Sequence, residues 1–149
     1  MIPMGVSLHC RKTNRTIDLG GGGFLRLRRT VADLCGEEVS AHYRLMLDNM
    51  FQRFESEAEK EAFWSAYDAQ TEGLIRRRKL NVKVADFLYQ SDCGGKIRYG
   101  ACKNLLKVIG DYDDNQLYGY AGLPDCARFR DFTAILEDCV RTKSNLTWD

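Results

Sequence analysis

Between positions 18 and 29 the chain reads Asp-Leu-Gly-Gly-Gly-Gly-Phe-Leu-Arg-Leu-Arg-Arg. Four successive glycines let main-chain N–H groups approach an anion closely, and a helix that starts there adds partial positive charge. Gly21, Gly22, Gly23 and Phe24 at the helix start, followed by Arg26 and Arg28, are therefore a candidate contact for phosphate. At helical spacing Arg26 and Arg29 share a face while Arg28 points elsewhere, so at most two arginines hold one phosphate and the third is solvated. The run lacks the Gly-Lys-Ser or Gly-Lys-Thr ending of a Walker loop and the spaced glycines of a dinucleotide fingerprint. The plainer alternative is a flexible connection from a hairpin to a helix.

A second polar stretch, Gln90-Ser91-Asp92-Cys93-Gly94-Gly95-Lys96, lies between two short elements. Asp92 can accept from a ribose hydroxyl or an adenine amine, Ser91 can bond either way, and Lys96 can meet a phosphate as a point charge. Gln90, Ser91, Asp92 and Lys96 are the candidate contacts here. Read as a simple turn, the same residues put Asp92 at an Asx cap and Gly94 and Gly95 at positive φ.

Other chemistry is thinner. Cys93 with His9 or His42 as base would form a nucleophile pair. Only two histidines exist, however, and His42 falls in a helix where half-exposure is expected. No Cys-x-x-Cys pair or closely spaced histidines occur, so the six cysteines read as reduced thiols, and no metal or other cofactor is expected. The adjacent acids Asp113-Asp114 and Glu37-Glu38 suit solvated positions. Tyr112, Tyr118 and Tyr120 either stack on a base or cover the rim of the core, and the rim is the better reading. Arg76-Arg77-Arg78-Lys79 reads as a solvated connector.

The elements that must position these groups follow from periodicity. Val6 to Cys10 and Arg15 to Leu19 alternate in polarity around Lys12-Thr13-Asn14, which predicts a β-hairpin. Phe24, Leu27, Val31 and Leu34 predict a first helix capped at Gly36, and Val39, Tyr43, Met46, Met50 and Phe54 extend one stripe along a second. Ser56 and Glu59 form a capping box for a third helix ending near Gly73. Val82 to Tyr89 and Gly100 to Ile109 predict two more, and Asp125 to Val140 a last one. Asn145 to Trp148 alternates and can add a strand beside the hairpin. The expected fold is α+β, a mainly helical single domain over 1–149 with an N-terminal hairpin joined by a short C-terminal strand.

Composition bounds the function. With 44% apolar and 29% charged residues the chain is long enough to bury one core without disulfides or metal. A net charge of +1 supplies no global field for duplex nucleic acid or an anionic membrane. Neither a signal-like opening nor eighteen consecutive apolar residues occur, so a cytoplasmic location is expected.

The pieces Gly22-Gly23-Phe24-Leu25-Arg26-Leu27-Arg28, Ser91-Asp92-Cys93-Gly94-Gly95-Lys96-Ile97 and Phe129-Arg130-Asp131-Phe132 resemble a broad group of uncharacterised small bacterial phage and mobile-element proteins. Relatives of that kind often carry His before the Ser and an acid after the Cys, where this chain has Gln90 and Gly94. Small phage proteins of this size include sponges that sequester nucleotide signals of bacterial immunity, among them cyclic ADP-ribose isomers. The resemblance implies a non-catalytic pocket for a nucleotide-derived small molecule, acting in the host cytoplasm as an anti-defence sponge. A homo-oligomer is compatible with it. The alternatives are an enzyme that hydrolyses such a signal, with Cys93 or Asp92 as participant, and an inhibitor that docks a host protein.

Overall fold

The hairpin forms because its polarity alternates strictly. In the computed structural model, which describes residues 5–119 and 127–149, β1 (Gly5–Cys10) turns Val6, Leu8 and Cys10 inward, and β2 (Arg15–Gly20) does the same with Ile17 and Leu19. Leu8 stands opposite Ile17 and His9 opposite Thr16. Asn14 takes the left-handed turn position, φ 56°, that its short polar side chain tolerates. Ser7 donates a 2.6 Å hydrogen bond to Asp18 across the outer, polar face.

Gly20 ends β2 and α1 (Gly21–Leu34) begins at the next residue. Phe24, Leu27 and Val31 are almost fully covered, as their spacing requires. Gly36, at φ 118°, separates α1 from α2 (Glu37–Asn49). The second stripe is shorter than predicted: α2 stops at Asn49, and Phe54 instead packs on Phe63 with ring centroids 5.5 Å apart. The Ser56 hydroxyl accepts from the Glu59 N–H at the start of α3 (Glu57–Arg76). This helix passes through Gly73 rather than ending there, because the cap falls at Arg77.

α4 (Val82–Tyr89) is capped by Asn81, whose side chain accepts from Lys83 N–H. A strand that periodicity did not predict, β3 (Gly95–Ile97), follows it and leads into α5 (Tyr99–Ile109). The expected start of the last helix at Asp125 lies outside the described residues, and the described α6 runs Phe129–Thr142. β4 (Leu146–Trp148) then inserts between β1 and β3, giving an antiparallel sheet of order β2-β1-β4-β3. Leu8 and Gly95 both stand opposite Trp148. The inner sheet face carries Leu8, Cys10, Ile97, Leu146 and Trp148 into one core with α1, α4, α5 and α6. The fold is α+β and a single domain, with the hairpin and the C-terminal strand in one sheet. No described helix is long and apolar enough to cross a membrane.

Candidate functional site

Where α1 and α4 cross the sheet, Phe24, Phe87 and Trp148 form a triangle with ring centroids 5.8 to 6.0 Å apart. The Arg28 guanidinium lies against it, its Cζ 4.2 Å from the Phe24 centroid, 5.7 Å from Trp148 and 5.8 Å from Phe87. Such faces attract a cation, which is why a guanidinium can sit there at all. Arg28 is 7% exposed, and neither Nε nor Nη2 has an acceptor among the described residues. The expectation that the odd arginine of the three is solvated is thereby corrected: Arg26 and Arg29 are exposed, and Arg28 faces inward. The reason is its place on the same helical stripe as Phe24, Leu27 and Val31.

Arg28 and Tyr43 line a cavity of about 210 Å³ between α1, α2 and the end of α4. Phe24, Leu25, Met46, Met50 and Leu88 make its apolar walls, and Tyr89, Gln90, Ser91 and Asp92 make its polar rim. Burial pushes the guanidinium pKa down, opposed by Tyr43 and by the Asp92 carboxylate. Asp92 acts across the cavity, because no ion pair within 4 Å joins the two. Burial also pushes the Tyr43 hydroxyl up to about 12, so it is a neutral donor at physiological pH.

The rim is held by a set of local bonds. Gln90 acts as a surrogate strand residue: its Nε2 donates to the Lys96 carbonyl at 2.9 Å, and its Oε1 accepts from the Lys96 N–H at 3.1 Å. Ser91 Oγ accepts from the Cys93 N–H, and the Ser91 carbonyl accepts from Trp148 Nε1 at 2.9 Å. Gly94 and Gly95 do not supply positive φ. Gly95 is instead needed for space, since a Cβ there would lie 2.2 Å from the Trp148 ring. The side-chain oxygens of Asp92 receive only a long contact, 3.7 Å, from the Cys93 thiol.

The structure thus brings Phe24, Arg28, Gln90, Ser91 and Asp92 to one cavity and leaves the other candidates outside it. Gly23 lies beneath the Tyr118 main chain, where a Cβ would come within 1.7 Å of the carbonyl oxygen. Arg26 Nη2 donates to the Leu117 carbonyl at 2.8 Å. Gly21 and Gly22 open the helix beside that covered turn, and Gly22 is exposed. Lys96 belongs to β3, and its side chain lines a different groove. Tyr118 is 1% exposed and donates to Asp114, and Tyr112 donates to the same carboxylate, so both tyrosines serve the rim of the core. Tyr120 lies outside the described residues.

The histidine pairing with Cys93 is not assembled. His9 is bonded through both ring nitrogens, to Thr16 at 3.0 Å and to Asp149 at 2.8 Å, on the outer sheet face. His42 is buried rather than half-exposed, stacked on Tyr67 at 3.8 Å and bonded to Thr71. Among the described residues no group of three or more His, Cys, Asp or Glu could hold a metal ion.

Sequence reasoning missed Tyr43, Met46, Phe87 and Trp148 as parts of the site. Tyr43 and Met46 are indistinguishable from core stripe residues in the sequence, and the approach of Trp148 to Arg28 depends on β4 entering the sheet between β1 and β3. A scan of family models, of curated proteins and of solved structures finds no match to this chain.

Proposed function

We propose that the protein binds, without turning it over, a nucleotide-derived small molecule in the cavity above Arg28. The single observation that carries this reading is the Arg28 guanidinium, hidden from solvent on an aromatic platform with two nitrogens lacking acceptors among the described residues. A buried donor left unpaired costs about 1–3 kcal/mol, and more when charged, so a ligand that brings acceptors recovers that energy on binding. The fork of a guanidinium suits a phosphate, a carboxylate or the acceptor edge of a base. Phe24 and the two methionines supply flat and adaptable apolar contact, and Asp92 with Ser91 offers polar atoms to a ribose or to base amines. No imidazole is bonded to Cys93, which favours capture over hydrolysis. A capture protein of this kind would act by stoichiometry, as an anti-defence sponge for an immune signal such as a cyclic ADP-ribose isomer.

Calorimetric titration with a panel of mononucleotides, cyclic dinucleotides and cyclic ADP-ribose isomers tests the reading, with chromatography of the recovered ligand. At least one member should bind and be recovered unaltered, and Arg28→Met should weaken it more than tenfold. Recovery of a converted product would replace capture by catalysis. Equal affinity in parent and variant would remove Arg28 from the site.

A second reading, an inhibitor that docks a protein partner, is favoured by one observation: Phe51 is 87% exposed, next to the 42% exposed Met50. If no nucleotide binds and Phe51→Ser abolishes association with a host protein, that reading takes its place.

A further inference from the structure

A larger concavity, about 750 Å³, lies between α4, β3 and α5. Its lining carries Lys83, Lys96, Arg98, Lys103 and Lys107 against one carboxylate, Asp86. All five cations are exposed, and none forms an ion pair within 4 Å among the described residues. Elsewhere Arg15, Arg44, Arg77, Arg130 and Arg141 each face an acid, and other exposed cations such as Lys12 and Arg53 stand without an ion pair among the described residues; what sets this groove apart is the gathering of five cations around one carboxylate. With a net charge of only +1 for the whole chain, five unpaired cations in one groove are a segregation of charge, not a basic composition. The Lys83 ammonium even lies against α5, only 3.2 Å from where a Cβ on Gly100 would stand. Clustered like charges repel, and a polyanion relieves that repulsion while releasing its own counterions.

We infer that this groove holds the phosphodiester backbone of a single-stranded nucleic acid. One phosphate needs one or two cations, whereas these five are spread over three elements, with Lys103 and Lys107 one turn and about 6 Å apart along α5. A concavity of about 750 Å³ has room for a short stretch of one strand but not for the full width of a duplex. Tyr99, half-exposed with Lys103 Nζ 5.7 Å over its ring, offers a face on which an unstacked base can lie. The assignment is independent of the Arg28 cavity, which shares no lining residue with this groove.

Fluorescence anisotropy with a labelled oligothymidylate of about 12 nucleotides tests it. Binding should weaken with salt, with a slope of log K against log salt of about −2 to −3.5 for three to five neutralised phosphates. Lys103→Glu with Lys107→Glu should weaken it at least tenfold, as should Lys83→Glu with Arg98→Glu, which keeps the test open if one pair fails to fold. Arg28→Met should leave it unchanged. Affinity insensitive to both charge reversals, equal or tighter binding of a blunt duplex, or displacement by polyglutamate at equal charge would each overturn the inference.

Discussion

Asp138 and Arg28 are equally hidden, each 7% exposed, and the fold treats them in opposite ways. Asp138, on α6, receives Thr13 at 3.0 Å and Arg15 at 2.6 Å on one oxygen and Arg141 at 2.9 Å on the other. Every acceptor demand of that carboxylate is met by the chain itself, and the result ties the hairpin turn to the last helix. Arg28 has an aromatic bed and, among the described residues, no acceptor for two of its nitrogens. The chain neutralises one buried charge with its own residues and leaves two nitrogens of the other without a partner among the described residues, and the proposed capture site rests on that difference.

Removing the saturated charge should have the largest effect. Asp138→Ala strips the partner from Arg15 and Arg141 and cuts the link between hairpin and α6. Breaking a buried pair typically costs 3–5 kcal/mol, but the two arginines are 44% and 66% exposed and rehydrate readily. A loss of about 2–3 kcal/mol in urea unfolding is therefore expected. Asp138→Asn should recover part of it by keeping one acceptor oxygen. The pH dependence has a definite sign. Burial pushes the Asp138 carboxyl up, and the bonds from Arg15, Thr13 and Arg141 outweigh it and hold the pKa below the usual carboxylate range. Its contribution is then fully present above the unfolded value of about 3.9 and is lost as the pH falls through the folded one. The acid limb of the parent's stability curve should be steeper than that of Asp138→Asn.

Gly23→Ala comes next. The Cβ would meet the Tyr118 carbonyl oxygen at 1.7 Å, backbone against backbone, so the segment carrying Leu117 and Tyr118 must lift away from α1. About 2 kcal/mol of lost stability is the expected cost. Ligand affinity at Arg28 should change little, because that residue lies on another face of α1. A large loss of affinity with Gly23→Ala would join the two faces into one site and blur the contrast drawn above.

Arg28→Met should move stability the other way. Replacing an unpaired buried charge by an apolar side chain of similar length removes a desolvation penalty, and a gain of about 1 kcal/mol is expected together with the loss of ligand. If Arg28→Met destabilises as much as Asp138→Ala does, the two buried charges are alike and Arg28 is a structural residue.

How much of this was legible beforehand depends on distance along the chain. The hairpin, its Asn14 turn, the Ser56 cap and the α1 stripe are local patterns, and each one formed as its residue spacing demands. β3 was not legible, because three residues carry no periodicity and owe their strand to pairing with β4. The polar turn at 90 to 92 and the arginine-bearing helix were both visible as candidate contacts for one ligand, but that Arg28 is the arginine that turns inward to meet the turn was not. Phe87 and Trp148, which seat Arg28, lie far from it in the sequence. The basic groove was hidden for the same reason: the visible run Arg76-Arg77-Arg78-Lys79 ends α3, with Arg77 facing Glu38, while the clustered cations come from scattered positions.

The smallest expected effect concerns His42, which completes the comparison with a group that is buried, bonded and uncharged. Its ring stacks on Tyr67 and pairs with the Thr71 hydroxyl at 2.7 Å, and burial lowers its pKa. The unfolded chain therefore takes up a proton more readily than the folded one as the pH drops. Stability from the neutral ring is fully present above the unfolded value of about 6.5 and is lost as the pH falls through the folded value. The parent should lose stability between pH 7 and 5, and His42→Phe, which keeps the stack but cannot titrate, should flatten that limb while giving up the Thr71 bond. Were the slope unchanged in His42→Phe, the protons would be entering elsewhere, and the stacked ring would not set that limb of the stability curve.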